Sequence, residues 1–456
     1  MVFSSFLFLC GFLPVVFILH AALRTTRARN VLLAIASLVF YSLGEPVYVL
    51  LLLLSVTVNY AFGLSLGRKR SKLTLTAAVL FNLGLLVLFK YTGLFTLPVG
   101  ISFYTFQILS YVIDVYRGQV KAQRNYVSLM LYISFFPQLI AGPIVKYHDI
   151  EDQIRERTVT AEEVKNGVFR FAAGLGKKVI IANGLAVAVD ALYALDPREL
   201  EVGAAWFMVI AYAFQLVFDF SAYSDMAIGL GKMFGFRIPE NFNYPYISRS
   251  VREYWKRNHM SLSSWFREYL YIPLGGSRKG EARTVLNLMI VFLATGIWHG
   301  AGWTFPVWGL YQALFIILER EHIINAEKWP RVLATLYTDL TIWIGLVLFR
   351  SGTFAQAAGV WKALLGIGPW PRDCGGSVRV MAEYAGPYRI LLLVLAAFLS
   401  TPILRDAVRK WRERSRENGR ILLTDGILML GTLALIVLCL MQLASDSYNP
   451  FIYYRF

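Results

Sequence analysis

Charge is what this chain is shortest of. Only 16% of its 456 residues are Asp, Glu, Lys or Arg, where a soluble protein has nearer a quarter. An ordinary soluble fold is therefore not expected. Cysteine is almost absent, with Cys10, Cys374 and Cys439 the whole set. Two of them fall in apolar stretches and one in a loop, so there is no disulfide framework and no metal-ligand spacing. No Walker A loop, no glycine-rich turn opening a dinucleotide fold and no HExxH occur. Gly63-Leu64-Ser65-Leu66-Gly67 has the spacing of a nucleophile elbow, but it ends an apolar helix rather than sitting on a strand-to-helix turn. The first apolar block lacks a basic leader, since residues 1–6 hold no Lys or Arg, so it is not read as a cleaved signal peptide.

Apolar residues are what the chain has in quantity, at 57%, with a mean hydropathy of +0.53. They come in long blocks, among them residues 3–23, 47–66, 73–89, 204–230, 333–349 and 421–443. With residues 99–115 included, about 11–12 blocks approach the length of a bilayer-crossing helix. Backbone in lipid must satisfy its own hydrogen bonds, so these blocks are expected to be helices. The alternating short strands of a barrel are missing. The expectation is an all-α polytopic membrane protein, with no internal repeat or flexible linker to divide it.

The net charge of +16 reads as positive-inside loops rather than as a nucleic-acid surface. Arg24, Arg27 and Arg29 mark one cytoplasmic loop, residues 68–72 the next, and seven basic residues between Arg405 and Arg420 the strongest. This places Met1, Phe456 and the loop 351–388 outside. Two segments break the rhythm. Residues 129–145 are apolar but interrupted by Pro137 and Gly142-Pro143, and both flanks read as cytoplasmic, which suits a re-entrant segment. Residues 232–283 mix aromatic and basic side chains, which suits short interfacial helices.

Of five histidines, His20, His148 and His322 read as interfacial or solvated. His299 differs. It lies between two apolar runs, next to Trp298 and among Gly296, Gly300 and Gly302. Ionisable groups at membrane depth are costly and usually functional. Burial favours the neutral ring, the form a general base needs, although a packing histidine is the plainer alternative. His259 follows Lys256, Arg257 and Asn258; with Arg278 and Lys279 these cations suit the phosphates of an anionic cosubstrate, or simply a positive-inside face. Asp219 and Asp225, with Ser221 between them, stand inside an apolar block. They are read as the polar wall of a tunnel, with helix–helix glue as the alternative.

These residues fall within an ordered series of motifs: LPVGISFY at 97–104, YVIDVYRG at 111–118, FPQLIAGP at 136–143, FDFSAYSDMA at 218–227, ENFNYPY at 240–246, HMSLS at 259–263, YLYIPLGG at 269–276 and WHG at 298–300. As a set they resemble the membrane-bound O-acyltransferase family, in its bacterial alginate O-acetyltransferase-like branch, with teichoic-acid D-alanyl transfer proteins as relatives. The resemblance is strong over residues 98–319, the expected core of a single domain spanning 1–456. Asn258 departs from it, since the family usually has Trp before the first histidine.

The resemblance implies a ring of tilted helices around a central tunnel and maps the two signature histidines onto His299 and His259. His299 would be the general base on an acceptor hydroxyl, and His259 would position or polarise the acyl thioester. Asn258, Lys256, Arg257, Arg278, Trp298, Asp219, Asp225 and Ser221 would line the tunnel or bind the donor. It implies acetyl-CoA as the donor substrate, no bound cofactor or metal, an extracytoplasmic SGNH-like transferase or esterase as partner, and a bacterial plasma membrane location. D-alanyl transfer and a glycan-precursor transporter or flippase are the competing functions. The tail NPFIYYRF at 449–456 resembles aromatic tails of related proteins. In it Tyr453 would be a transient acyl carrier, or else an interface anchor.

Overall fold

The computed structural model describes residues 1–367, 375–445 and 449. Among these, every regular element is helical. In chain order they are α1 (Leu7–Ala22, its first turns π-wound), α2 (Thr26–Ser42), α3 (Tyr48–Arg68), α4 (Lys72–Tyr91), α5 (Ile101–Arg117), α6 (Tyr126–Ser134), α7 (Phe136–Leu139) and α8 (Tyr147–Arg155). Next come α9 (Ala161–Gly176), α10 (Asn183–Tyr193), α11 (Val202–Met233), α12 (Val251–Arg257), α13 (Met260–Phe266), α14 (Glu281–His299) and α15 (Thr304–Arg320). The last are α16 (Arg331–Arg350), α17 (Phe354–Leu364), α18 (Gly375–Tyr384), α19 (Pro387–Leu399), α20 (Ile403–Glu417) and α21 (Ile421–Ser445).

Among the described residues, seven helices are long and apolar enough to cross a membrane, or eight if the bent pair α18–α19 counts as one span. That is fewer than the blocks counted in the sequence. The shortfall lies in α1, the shorter apolar helix Leu7–Ala22, and in α2, α5 and α15, each 17 residues long, a little under the ~20 residues of a perpendicular crossing. Local chemistry sets the helix starts. Thr25 and Ser71 accept the backbone N–H groups of Ala28 and Thr74, and Thr160 forms a capping box with Glu163.

The central element is α11, 32 residues long and so about 48 Å from end to end. It packs along α9. In the sequence Lys177 and Lys178 interrupt the apolar pattern just before the apolar run 179–195. The structure runs the helix through them, from Ala161 to Tyr193, by way of a π turn at Lys177–Ala182. The reason lies on α11. Lys178 Nζ is 2.6 Å from Asp219, and Lys177 Nζ is 2.7 Å from Asp225, which also meets Arg170 at 2.7 Å. Each carboxylate neutralises a cation that would otherwise end the span.

The broken segment expected at 129–145 is present as α6 and α7, separated by a kink at Phe135, with Pro137 in the first turn of α7. It is buried throughout residues 131–147, and its freed backbone groups find side-chain partners. Phe136 N donates to Ser37 Oγ at 3.0 Å, Ile144 N to Ser261 Oγ at 3.0 Å, and Tyr132 Oη to the Val145 carbonyl at 2.9 Å. This is the condition under which irregular backbone is tolerated in lipid.

The segment 232–283 does form short helices, but its aromatic side chains turn inward. Trp265 is buried, stacks on Phe106 with ring centroids 3.8 Å apart and donates to the Phe106 carbonyl. Glu319 of α15 accepts from Val251 N and Arg252 N at 2.7 and 3.0 Å, so it anchors the start of α12 to the bundle. His20, expected at an interface, is buried edge-on against Phe234. α14 and α15 form a hairpin closed by glycine. A Cβ on Gly296 would stand 2.3 Å from the Phe305 carbonyl, and one on Gly309 2.1 Å from that of Phe292. No larger residue allows that approach.

The Lys178–Asp219 pair is 4% and 2% exposed. Lys178→Met leaves a carboxylate buried beside an apolar chain and is expected to destabilise the protein by about 3–5 kcal/mol, read as a lower unfolding temperature in detergent. Lys178→Met combined with Asp219→Leu is expected to recover part of that loss.

Candidate active site between two histidines

His299 is the last residue of α14. His259 lies in the turn between α12 and α13, where its backbone takes the left-handed conformation, φ 47°. That conformation is rare for a residue with a Cβ and costs about 1–3 kcal/mol. A local clamp holds it. Asn243 N donates to the Arg257 carbonyl at 2.8 Å and Met260 N to the Asn241 carbonyl at 2.9 Å, so the chain is pinned on both sides of His259.

The Asn241 side chain completes the clamp. Its Oδ1 accepts from Ser261 N at 3.1 Å and from Ser261 Oγ at 2.9 Å, and lies 3.4 Å from His259 Nδ1. Its Nδ2 donates to Ser224 Oγ at 3.1 Å, which ties the clamp to α11. Because Oδ1 is an acceptor only, the contact puts the imidazole proton on Nδ1. His259 Nε2 has no hydrogen-bond partner among the described residues, so a bare lone pair is presented there.

Both rings are buried, each 2% exposed, with their centroids 6.4 Å apart. They line one cavity of about 40 Å³ together with Asn258, Phe220, Trp255 and Trp308. A water needs roughly 10–15 Å³ of such space. The cavity therefore holds about three water-sized atoms, the size of an acetyl group. Its walls are aromatic. Phe220 meets His259 edge-on at 4.6 Å, and Trp308 and Phe349 meet His299 edge-on at 5.2 and 5.1 Å.

Of the residues singled out in the sequence, the structure brings His299, His259 and Asn258 together on this cavity. Trp298 stands behind it. Its ring packs on Phe103 and Phe106, and its Nε1 donates to the Ser102 carbonyl at 3.3 Å. Asp219, Asp225 and Ser221 do not line the cavity. Leu216, Val217 and Phe220 of α11 do, whereas Asp219 faces a separate small space with Lys178, Tyr223 and Asn449. The expected tunnel wall is thus a set of inter-helix ion pairs, because the cations of α9 and the π turn after it engage both carboxylates.

Lys256 and Arg278 are exposed and away from the cavity. Arg257 is taken up by Glu253 at 2.8 Å and the Asn243 carbonyl at 3.1 Å. Tyr453 lies outside the described residues. Asn449 is described, and its side chain donates to the Ser4 carbonyl at 2.9 Å and accepts from Asn183 Nδ2 at 3.1 Å.

Sequence reasoning did not single out Asn241, Phe220 or Trp308 as parts of the site. Asn241 carried only a faint signal, as one of two asparagines, with Asn243, in the ENFNYPY motif that precedes HMSLS. The aromatic walls carried none, since Phe and Trp occur throughout the chain.

Comparison with known proteins supplies a family and relatives. The model of the MBOAT, membrane-bound O-acyltransferase, family matches residues 121–327. A probable alginate O-acetylase of Pseudomonas putida is 38% identical, with all of both chains covered. A peptidoglycan O-acetyltransferase of Helicobacter pylori is 34% identical over 80% of each chain. A teichoic acid D-alanyltransferase of Bacillus subtilis is 27% identical over 56% of this chain and 69% of its own.

Asn241→Ala removes the acceptor shared by Ser261 and His259. It is expected to cost roughly 1–3 kcal/mol of stability and to lower acyl-transfer turnover more than Ser224→Ala does. Thermal unfolding and turnover measured on the same preparations check this.

Proposed function

The chain belongs to the membrane-bound O-acyltransferase family, and from that premise we propose that it moves an acetyl group from a cytosolic thioester, acetyl-CoA, towards the hydroxyl of an extracytoplasmic polysaccharide. That it is a multi-pass membrane O-acyltransferase follows from the family and the apolar helices. The donor, the route and the acceptor are the proposal. The observation that carries it is the pair of imidazoles facing one acetyl-sized cavity.

In this reading His299 takes the proton of the acceptor hydroxyl as its oxygen attacks the thioester carbon. The new C–O bond forms, the C–S bond breaks, and the proton passes from the imidazolium to the departing thiolate, leaving a free thiol. A thioester is reactive enough for proton transfer and positioning to suffice without a protein nucleophile. Polarising the thioester carbonyl needs an N–H. With Nδ1 turned to Asn241 and Nε2 bare, positioning is the part left to neutral His259.

Exposed Lys256 and Arg278 lie within the segment 232–283, where we place the first contacts of the donor's phosphates. The membrane is then a bacterial plasma membrane, with the chain working as one unit alongside an extracytoplasmic SGNH-like transferase or esterase. Alginate and peptidoglycan acetylation by relatives support a cell-envelope polymer as acceptor. D-alanyl transfer is the weaker reading, because that relative matches a smaller share of the chain at lower identity and D-alanyl is larger than acetyl. A transporter or flippase would carry no label from donor to acceptor.

Membranes holding the full chain and given radiolabelled acetyl-CoA are expected to label polymer. His299→Ala is expected to cut that transfer by on the order of 10²–10⁴-fold while the protein remains inserted. Transfer that survives His299→Ala sinks the base assignment. Tyr453→Phe separates a transient acyl carrier from an interface anchor: lost export of acetyl groups supports the relay, and unchanged export dismisses it.

A further inference from the structure

Lys90 is the penultimate residue of α4, inside a helix long and apolar enough to cross a membrane. A cation at such a position is costly and calls for a reason. Among the described residues no carboxylate lies within ion-pairing distance of it, in contrast to Lys178 and Lys177. Its Nζ donates instead to the Trp298 carbonyl and to Ser102 Oγ, the latter at 3.2 Å. The ammonium also stands 5.6 Å from the Trp298 ring centroid, a cation–π distance. The next residue repeats the pattern, with Tyr91 Oη donating to the Ile297 carbonyl.

These two carbonyls are not arbitrary acceptors. α14 ends at His299, and Gly300 continues in extended conformation. The last four carbonyls of a helix have no partner within it, and the helix end carries a partial negative charge. The end of α4 therefore supplies two donors to the end of α14. The Trp298 carbonyl belongs to the peptide unit whose nitrogen is that of His299, so Lys90 grips the backbone from which the imidazole hangs.

We infer that Lys90, assisted by Tyr91, is a positioning residue for the transfer reaction, fixing the C-terminal end of α14 and with it the direction of the His299 ring. The inference rests on the proposed base role of His299. It also accounts for a lysine at the end of an apolar helix with no carboxylate beside it among the described residues, since its Nζ is spent on the end of α14. Displacing a reacting group by about an ångström lowers turnover on the order of a hundredfold, so a gripped peptide at this point has a large kinetic effect for a small structural one.

The test uses the purified full chain in lipid nanodiscs with radiolabelled acetyl-CoA, comparing Lys90→Met, Lys90→Arg, Tyr91→Phe and His299→Ala. The expected results are a kcat lower by about tenfold to a hundredfold in Lys90→Met with KM for acetyl-CoA unchanged, substantial rescue in Lys90→Arg, and a smaller loss in Tyr91→Phe. Lys90→Met at wild-type kcat, or with a raised KM alone, overturns the inference while an inactive His299→Ala leaves the base role standing. An active His299→Ala removes the base role itself. If Lys90→Met does not insert, Lys90→Arg and Tyr91→Phe decide the matter: Tyr91→Phe at wild-type kcat overturns the grip, and a lowered kcat with unchanged KM supports it.

Discussion

The middle of a bilayer supplies no water, so each polar group placed there must find its partner inside the protein. The architecture follows from how this chain meets that demand. Lys178 and Lys177 cross apolar depth because Asp219 and Asp225 stand opposite them on α11. The kink at Phe135 is held because Ser37 and Ser261 lend their hydroxyls to backbone freed around α7. Asn59 and Asn82 exchange amide hydrogen bonds between α3 and α4 at 2.7 and 3.0 Å. Each is a place where two helices acquire a fixed register, because sliding either one leaves a buried group unpaired.

The same demand separates structural from functional polarity. A carboxylate paired at 2.6 Å with a lysine and 2% exposed has little freedom to take part in chemistry. His259 has Nδ1 directed at Asn241 and Nε2 left bare beside a cavity. A buried nitrogen without a partner costs free energy, and a protein keeps such a group where a ligand will complete it. The bare nitrogen together with the cavity beside it is what favours the proposed site between the histidines, whereas Asp219 and Asp225 are engaged by Lys178, Lys177 and Arg170.

How much of this was legible in the sequence depends on the range of the interaction. HMSLS and WHG announce the two histidines directly, and the helices announce themselves by composition. The broken segment at 129–145 was legible because proline and glycine act locally. What escaped were facts about pairs of distant residues. Lys177 and Lys178 look like the end of a span until Asp225 and Asp219, more than forty positions on, are seen to face them. Asp219 looks like a tunnel lining until that same contact is seen. Asn241 acts across the loop to His259 and Ser261, and its place in ENFNYPY does not tell it from Asn243 as a clamp.

The narrowness of the site bears on what it can select. A cavity of about 40 Å³ walled by Phe220, Trp255 and Trp308 excludes a long acyl chain by volume. Rejecting one extra methylene or a small polar substituent by shape alone is worth only about 1–3 kcal/mol. Volume therefore accounts for short acyl groups over fatty ones, and discrimination among short groups must come from polar contacts. The polar groups on the cavity include His259 Nε2, Trp308 Nε1, His299, Gln312 and the Asn258 side chain. Asn258 is also where the chain departs from the usual tryptophan of the family it resembles. A smaller, hydrogen-bonding side chain at that point exchanges aromatic wall for a donor and an acceptor, beside the histidine assigned to position the donor. On the proposed site, the departure puts a polar side chain on the wall where discrimination among short acyl groups would act.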